Sequence, residues 1–226
     1  MFTGIVTAVG TIESVEQRGD MRVRIACPWD PDRITIGASI ACAGVCLTVV
    51  ERGGEAGDAW FAVDVSAETV SRTARGMWHQ GARINLEPSL KVGDELGGHI
   101  VSGHVDAVGE VANWEPEGDS MRVTVLAPRE LAPFIAAKGS ITVDGVSLTV
   151  NSVEDRSNGS VHFGLNIIPH TAEVTTLGEL AQGSEVNLEI DTVARYVERM
   201  LQAGAIGIPP LASPAPAPAA PKDLYS

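Results

Sequence analysis

The chain repeats itself. Gly44-Val45-Cys46-Leu47-Thr48-Val49 in the first half returns as Gly145-Val146-Ser147-Leu148-Thr149-Val150 in the second, and a fixed-period repeat constrains architecture before any single residue does. Gly4-Ile5-Val6 with Ala8-Val9-Gly10 echoes Gly103-His104-Val105 with Ala107-Val108-Gly109, and Asn85-Leu86-Glu87 echoes Asn187-Leu188-Glu189. The offset drifts from 99 (Gly4 to Gly103) through 101 (Gly44 to Gly145) to 102 (Asn85 to Asn187). Loop insertions between diverging copies produce such drift, because loops tolerate length changes better than the elements they join. The reading is a tandem duplication: a first copy over 1–97, a second over 98–190, a helix over 191–205 and a tail over 206–226.

Within each copy the apolar pattern is that of strands. Residues 4–11, 21–27, 38–42, 45–50, 59–65 and 82–86 are short Val-, Ile- and Thr-rich runs separated by turn formers, and 103–111, 121–125, 140–143, 146–150, 161–168 and 185–190 repeat the scheme. Six short strands per copy fit a small closed barrel, which removes the unpaired edges that invite aggregation. The expected fold class is mainly β: two tandem six-stranded closed barrels followed by a carboxy-terminal α-helix. That helix is predicted from Asp191 as a cap, with Val193, Val197, Met200 and Leu201 on one face and Gly204 as a stop. About a dozen residues are marginal as a lone helix, so the stripe must be buried on a barrel or against copies of itself. The tail from Pro209, dominated by Pro and Ala, is expected to be disordered.

Composition narrows the function classes. A formal net charge of −13 and a pI near 4.7 argue against nucleic acid as a partner, since such binding needs clustered Lys and Arg. The amino terminus lacks a basic region followed by an apolar run, and no stretch approaches a membrane span, so neither export nor a membrane is expected. Cys27, Cys42 and Cys46 are an odd number without a signal peptide, which points to free thiols and a cytoplasmic location. Cys42 and Cys46 have no second pair at ligand spacing, so no metal site is expected.

The copies differ most where chemistry would sit. Cys46 aligns with Ser147, Ile5 with His104, Ala43 with Asp144 and Glu68 with His170. Like pockets with unlike reactivity suit a protein that holds two similar ligands and treats them differently.

Met1-Phe2-Thr3-Gly4-Ile5-Val6, the run Gly97-Gly98-His99-Ile100-Val101-Ser102-Gly103-His104-Val105-Asp106, the two G-V-x-L-T-V motifs, Lys91-Val92-Gly93-Asp94, Pro169-His170-Thr171 and Thr175-Thr176-Leu177-Gly178 occur in order. Together they resemble riboflavin synthase of the duplicated-barrel type, from Met1 to about Gly204. The resemblance implies a cofactor-free dismutation of two molecules of 6,7-dimethyl-8-ribityllumazine, in which one gives a four-carbon unit to the other. The products are riboflavin and 5-amino-6-(ribitylamino)uracil. It also implies a homotrimer, in which the first barrel of one subunit faces the second barrel of a neighbour, and an association with lumazine synthase.

Residue by residue, the resemblance implies a first-barrel pocket lined by Gly4, Ile5, Val6, Cys46, Leu47, Thr48, Asp64, Val65, Ser66, Ala67, Glu68 and Thr69. The second-barrel pocket would be lined by Gly103, His104, Val105, Lys138, Ser147, Leu148, Thr149, Ile167, Ile168, Pro169, His170, Thr171 and Ala172. Cys46 is the leading candidate for nucleophilic or proton-transfer help, with His104, Ser147, Asp144 and Thr149 completing the catalytic set. Taken alone, Cys46 reads as a small buried hydrophobe and Asp144-Gly145 as a hairpin turn. Ala43 and Pro88 depart from the family pattern, and the segment around Trp78 fits it poorly. Two other classes stay open: a non-catalytic lumazine or flavin carrier on the same fold, and a barrel-based interaction module.

Overall fold

The computed structural model describes residues 1–205; the 206–226 tail lies outside the described residues. In the first repeat, β1 (Ala8–Arg18), β2 (Asp20–Cys27), β3 (Ser39–Cys42), β4 (Val45–Glu55), β5 (Asp58–Val65) and β6 (Arg83–Pro88) close into an antiparallel barrel of order β1-β2-β5-β4-β3-β6. Strand alternation drives the closure. In β2, Val23, Ile25 and Cys27 face inward, and in β4 Val45, Leu47 and Val49 do, meeting Phe61, Val63, Ile84 and Leu86 in one core. Each such large side chain contributes about 1.5–3 kcal/mol on burial. A short helix α1 (Ala67–Arg72) follows β5, its first turn capped by the Ser66 hydroxyl, which accepts the Thr69 N–H at 3.1 Å.

The second repeat runs β7 (Ala107–Glu117), β8 (Ser120–Ala127), β9 (Ser140–Val143), β10 (Val146–Thr149), β11 (Ser152–Asp155), β12 (Val161–Ile167), α2 (Pro169–Val174) and β13 (Glu185–Ile190). It differs from the first in one place. Where β4 passes through a bulge between Val49 and Glu51, the second copy leaves the ladder at Val150–Asn151, so one strand becomes two, β10 and β11. These two segments form the edges of a seven-stranded sheet in the order β10-β9-β13-β7-β8-β12-β11. Because they are consecutive in the chain, the sheet curls onto itself through the backbone instead of through a ladder.

The first strand starts later than the pattern predicts, at Ala8 instead of residue 4, because residues 4–6 turn toward the second repeat, where the Gly4 carbonyl meets the Ser147 N–H. Phe2 pairs with Val101 in an isolated bridge, and Val6 packs on the core of the second repeat while Val105 packs on that of the first. Each copy lends its leading segment to the other.

Two further contacts lock the copies together. The β3–β4 and β9–β10 hairpins use two-residue turns with φ of 46° and 81° at Ala43-Gly44 and 45° and 80° at Asp144-Gly145, the type I′ geometry that matches strand twist. The turns abut so closely that a Cβ on Gly145 would lie 2.7 Å from the Gly44 nitrogen. Around them the two motif asparagines reach across reciprocally. Asn85 donates to the Asp144 carbonyl at 2.9 Å and accepts the Thr176 N–H at 2.8 Å, while Asn187 donates to the Ala43 carbonyl at 3.0 Å and accepts the Ala74 N–H at 2.7 Å. This explains the segment around Trp78. Trp78 is buried and donates to the Thr73 hydroxyl at 2.9 Å, and Met77 lies beside the Asn187 amide, so the segment seats the end of α1 on the second repeat.

The carboxy-terminal helix α3 (Thr192–Gln202) forms from its Asp191 cap, whose carboxylate accepts the Val193 N–H at 2.8 Å. Arg195 fastens it to Asp106 at 2.8 Å, leaving Val193, Tyr196, Val197 and Met200 exposed along one side. No helix among the described residues is long and apolar enough to cross a membrane.

Candidate functional site

The crossed leading segments bring a backbone carbonyl up to each of the two motif positions. Cys46, at the start of β4, donates its N–H to the Gly103 carbonyl at 2.7 Å, and Ser147, at the matching place in β10, donates to the Gly4 carbonyl at 2.8 Å. The grouping expected from sequence is therefore crossed: Gly103 meets Cys46, and Gly4 meets Ser147. A β-pattern shows which face a residue occupies but not which strand it meets. Gly103 has φ +80°, and a Cβ there would lie 2.7 Å from Cys46 Cβ and 2.8 Å from Phe2 Cε2, so only glycine fits this backbone and this approach.

The two motif side chains sit in unlike surroundings. Cys46 is half-buried against the apolar cluster of Phe2, Ala41 and Val101. Ser147 instead stands 2.7 Å from Nδ1 of His99, whose Nε2 lies 3.3 Å from the Thr142 hydroxyl. Both partners are buried, His99 at 9% exposure and Thr142 at 1%. Burial lowers the His99 pKa below its ordinary value, against a weaker opposing pull from Asp191, so the imidazole is neutral at pH 7. In the tautomer that donates from Nε2 to Thr142, Nδ1 accepts the Ser147 hydroxyl proton. That is the arrangement of a weak nucleophile or proton relay backed by a base.

The motifs do not single out His99. The available signal was Gly97-Gly98 just before it: a Cβ on Gly98 would sit 2.0 Å from the Thr3 carbonyl oxygen and 2.9 Å from Ser147 Oγ. The chain needs a residue without a side chain there to bring His99 alongside Ser147.

Asp144 is not joined to this pair. Its carboxyl accepts the Asn187 N–H at 2.8 Å within the turn contact, and desolvation pushes its pKa up to about 7. Such a group is protonated in the fold over a range where the unfolded chain, near 3.8, is ionised. The associated stability is fully present below pH 3.8 and is lost as pH rises through 7. Asp144→Asn, which keeps the acceptor oxygen, is therefore expected to flatten the stability profile between pH 4 and 8. Its gain over wild type at pH 8 would be on the order of 3 kcal/mol, measurable by urea titration at several pH values.

Among the other expected residues, Leu47, Val65 and Ile167 point into the cores and offer the pockets only their backbone. Thr48, Thr149, His104 and Lys138 are exposed, as are Ile5, Ile168, Pro169 and His170, while Leu148, Thr171 and Ala172 are half-buried. Asp64 is engaged by Arg22, which donates at 2.5 and 3.1 Å and also pairs with Glu51; the Arg22 bond holds its carboxyl below the ordinary range. Ser66, Ala67, Glu68 and Thr69 form the first turn of α1, with Glu68 paired to Arg72.

Lys138 adopts φ +67°, at the place where the first repeat has Gly37 with φ +85°, and both N–H groups make the same bond, to Val150 at 2.7 Å and Val49 at 2.8 Å. A lysine held left-handed costs about 1 kcal/mol relative to a relaxed backbone, a strain that functional sites tolerate. Lys138→Gly is expected to raise stability by roughly 0.5–1 kcal/mol, as thermal melts would show.

The fold is that of a duplicated β-unit whose two repeats exchange their leading segments. The family model described as "Lumazine binding domain" matches residues 3–89 and again 102–191. The chain is 48% identical over 206 residues to the riboflavin synthase of Brucella abortus (strain 2308), covering 89% of this chain and 98% of that protein. It is 44% identical over 203 residues to the riboflavin synthase of Mycobacterium tuberculosis (strain ATCC 25618 / H37Rv), covering 89% and 98%. The chain belongs to the riboflavin synthase family. Among solved structures it resembles LumP complexed with 6,7-dimethyl-8-(1'-D-ribityl) lumazine, with a TM-score of 0.68 and 25% identity over 84% of this chain and 99% of that one.

Proposed function

We propose that this chain makes riboflavin from two molecules of 6,7-dimethyl-8-ribityllumazine by transfer of a four-carbon unit, releasing 5-amino-6-(ribitylamino)uracil. The observation that carries the mechanism is the contrast between the pockets, a hydroxyl paired with a neutral imidazole in one and a thiol among apolar groups in the other. The reactant beside Ser147 gives up a methyl proton to the Ser147–His99 pair and becomes the nucleophile. The reactant beside Cys46 and His104 is attacked at its ring. Thr48, Thr69, Thr149 and Thr171 offer hydroxyls to the ribityl chains, and Lys138 offers a cation. Holding both rings in register makes the encounter effectively unimolecular, which is where most of the acceleration would come from.

Both reactants must be held together in register for the transfer. The reading therefore includes a homotrimer in which the first repeat of one copy faces the second repeat of the next, with the exposed Val193, Tyr196, Val197 and Met200 face of α3 covered by neighbouring copies. Incubating the purified protein with 6,7-dimethyl-8-ribityllumazine alone tests the reaction. Riboflavin and the pyrimidine should appear in equal amounts. Tight binding without turnover would instead favour a carrier, the reading that the likeness to LumP supports.

A further inference from the structure

Glu189, next to last in β13, lies in the protein interior, 2% exposed, and the steps proposed above do not use it. Its carboxylate gathers four donors from three consecutive residues. Oε1 accepts the Ser102 N–H at 2.7 Å and the Ser102 hydroxyl at 2.6 Å, and Oε2 accepts the Gly103 and His104 N–H groups, both at 2.9 Å. With four donors converging on it in the protein interior, this one side chain dictates the path of the segment. The path matters because the Gly103 carbonyl meets the Cys46 N–H, and because His104 and Val105 continue from there onto the first repeat. A second anchor lies two residues beyond His104. Asp106 accepts the Ile190 N–H at 2.9 Å and pairs with Arg195 of α3 at 2.8 Å.

The same device serves the other pocket. Glu87, 6% exposed at the matching place in β6, accepts the Thr3 N–H at 2.7 Å, the Thr3 hydroxyl at 2.8 Å and the Gly4 N–H at 2.9 Å. It thereby aims the Gly4 carbonyl at Ser147.

We propose that Glu189 is a positioning residue for the first-repeat pocket, setting the Gly103–His104 segment over Cys46, and that Glu87 does the same for Ser147 in the second. The proposal rests on the reading that these pockets hold the reactants, but its test does not need turnover. In Glu189→Gln an amide N–H would face the Gly103 and His104 donors, and the cover over Cys46 should loosen.

The experiment measures the rate at which iodoacetamide alkylates Cys46 in the full-length chain, by peptide mass spectrometry, with the buried Cys27 and Cys42 as internal reporters of global opening. Glu189→Gln should speed Cys46 labelling by about tenfold and Ser102→Ala by about twofold to threefold, with Cys27 and Cys42 unchanged. Glu87→Gln should raise Cys46 labelling clearly less than Glu189→Gln does, because its donors sit on Thr3 and Gly4, beyond the Phe2 that packs on Cys46. In the turnover assay Glu189→Gln should lower kcat by about tenfold or more with KM within about threefold, the signature of misplaced groups and not of lost binding.

Unchanged Cys46 labelling in Glu189→Gln, an equal rise in Glu87→Gln, or a rise shared by Cys27 and Cys42 would overturn the proposal. Should Glu189→Gln not fold, Ser102→Ala decides it by the same criteria. A wild-type protein that makes no riboflavin would sink the reaction reading and leave the labelling result to judge the positioning role.

Discussion

Ser147→Ala is expected to lower kcat for riboflavin formation by about a hundredfold, and His99→Gln by a similar factor, the range that loss of a positioned acid–base group produces. The double variant should be little worse than either single one. The hydroxyl and the imidazole share one 2.7 Å hydrogen bond, and groups that act as a unit are strongly non-additive. Ser147→Ala should cost about 1–2 kcal/mol of stability, since the buried His99 Nδ1 loses its partner while the backbone bond from the N–H at this position to Gly4 stays. Because burial holds the His99 pKa below its ordinary value, the imidazole becomes protonated, and useless as an acceptor, only on the acid side of 6.5. The wild-type rate should therefore fall on that side and not at neutral pH. Full additivity of the two substitutions, or a kcat within threefold of wild type in either, would remove the pair from the mechanism.

Gly103→Ala is expected to have the largest structural effect. The new methyl would enter at φ +80° and meet Cys46 Cβ at 2.7 Å, Phe2 Cε2 at 2.8 Å and the Cys46 nitrogen at 3.0 Å. The left-handed backbone alone costs an alanine about 1 kcal/mol, and relief of the contacts must shift a fully buried Phe2 or the β4 backbone. Destabilisation of roughly 2–4 kcal/mol should appear as a lower urea midpoint with an unchanged slope. Activity should fall further than stability does, because the shifted segment carries His104. Gly37→Ala, also left-handed at φ +85° but with open space around its Cβ, provides the control: it should lose only the backbone contribution, about 1 kcal/mol, and keep activity.

Much of this was legible in the chain itself. The alternation in β2, β4 and β5, the Asp191 cap with Val193 and Val197 on one side of α3, and the doubled motif all rest on local chemistry. Local chemistry is written in residue order. The Cys46–Ser147 alignment likewise marks where the two copies differ in side-chain chemistry. What stayed hidden depended on contacts between residues far apart in the chain. Nothing in Gly4-Ile5-Val6 says that its carbonyl will meet Ser147, 143 positions on. Asp144 offered a turn and a carboxylate, and only the abutting second turn made it a desolvated group instead of a partner for Ser147. His99 lacked any helical or strand periodicity to mark it, and Tyr196 joined the exposed side of α3 because Arg195 is held down by Asp106.

The sequence by itself determined that there are two copies of one β-unit with a thiol in one and a hydroxyl in the other, because periodicity and side-chain identity are properties of short stretches. The tertiary structure alone decided that each copy borrows the other's leading segment and that the hydroxyl, not the thiol, receives a buried imidazole. Those choices follow from closing barrels whose unpaired backbone and apolar faces are satisfied most fully across the repeat boundary.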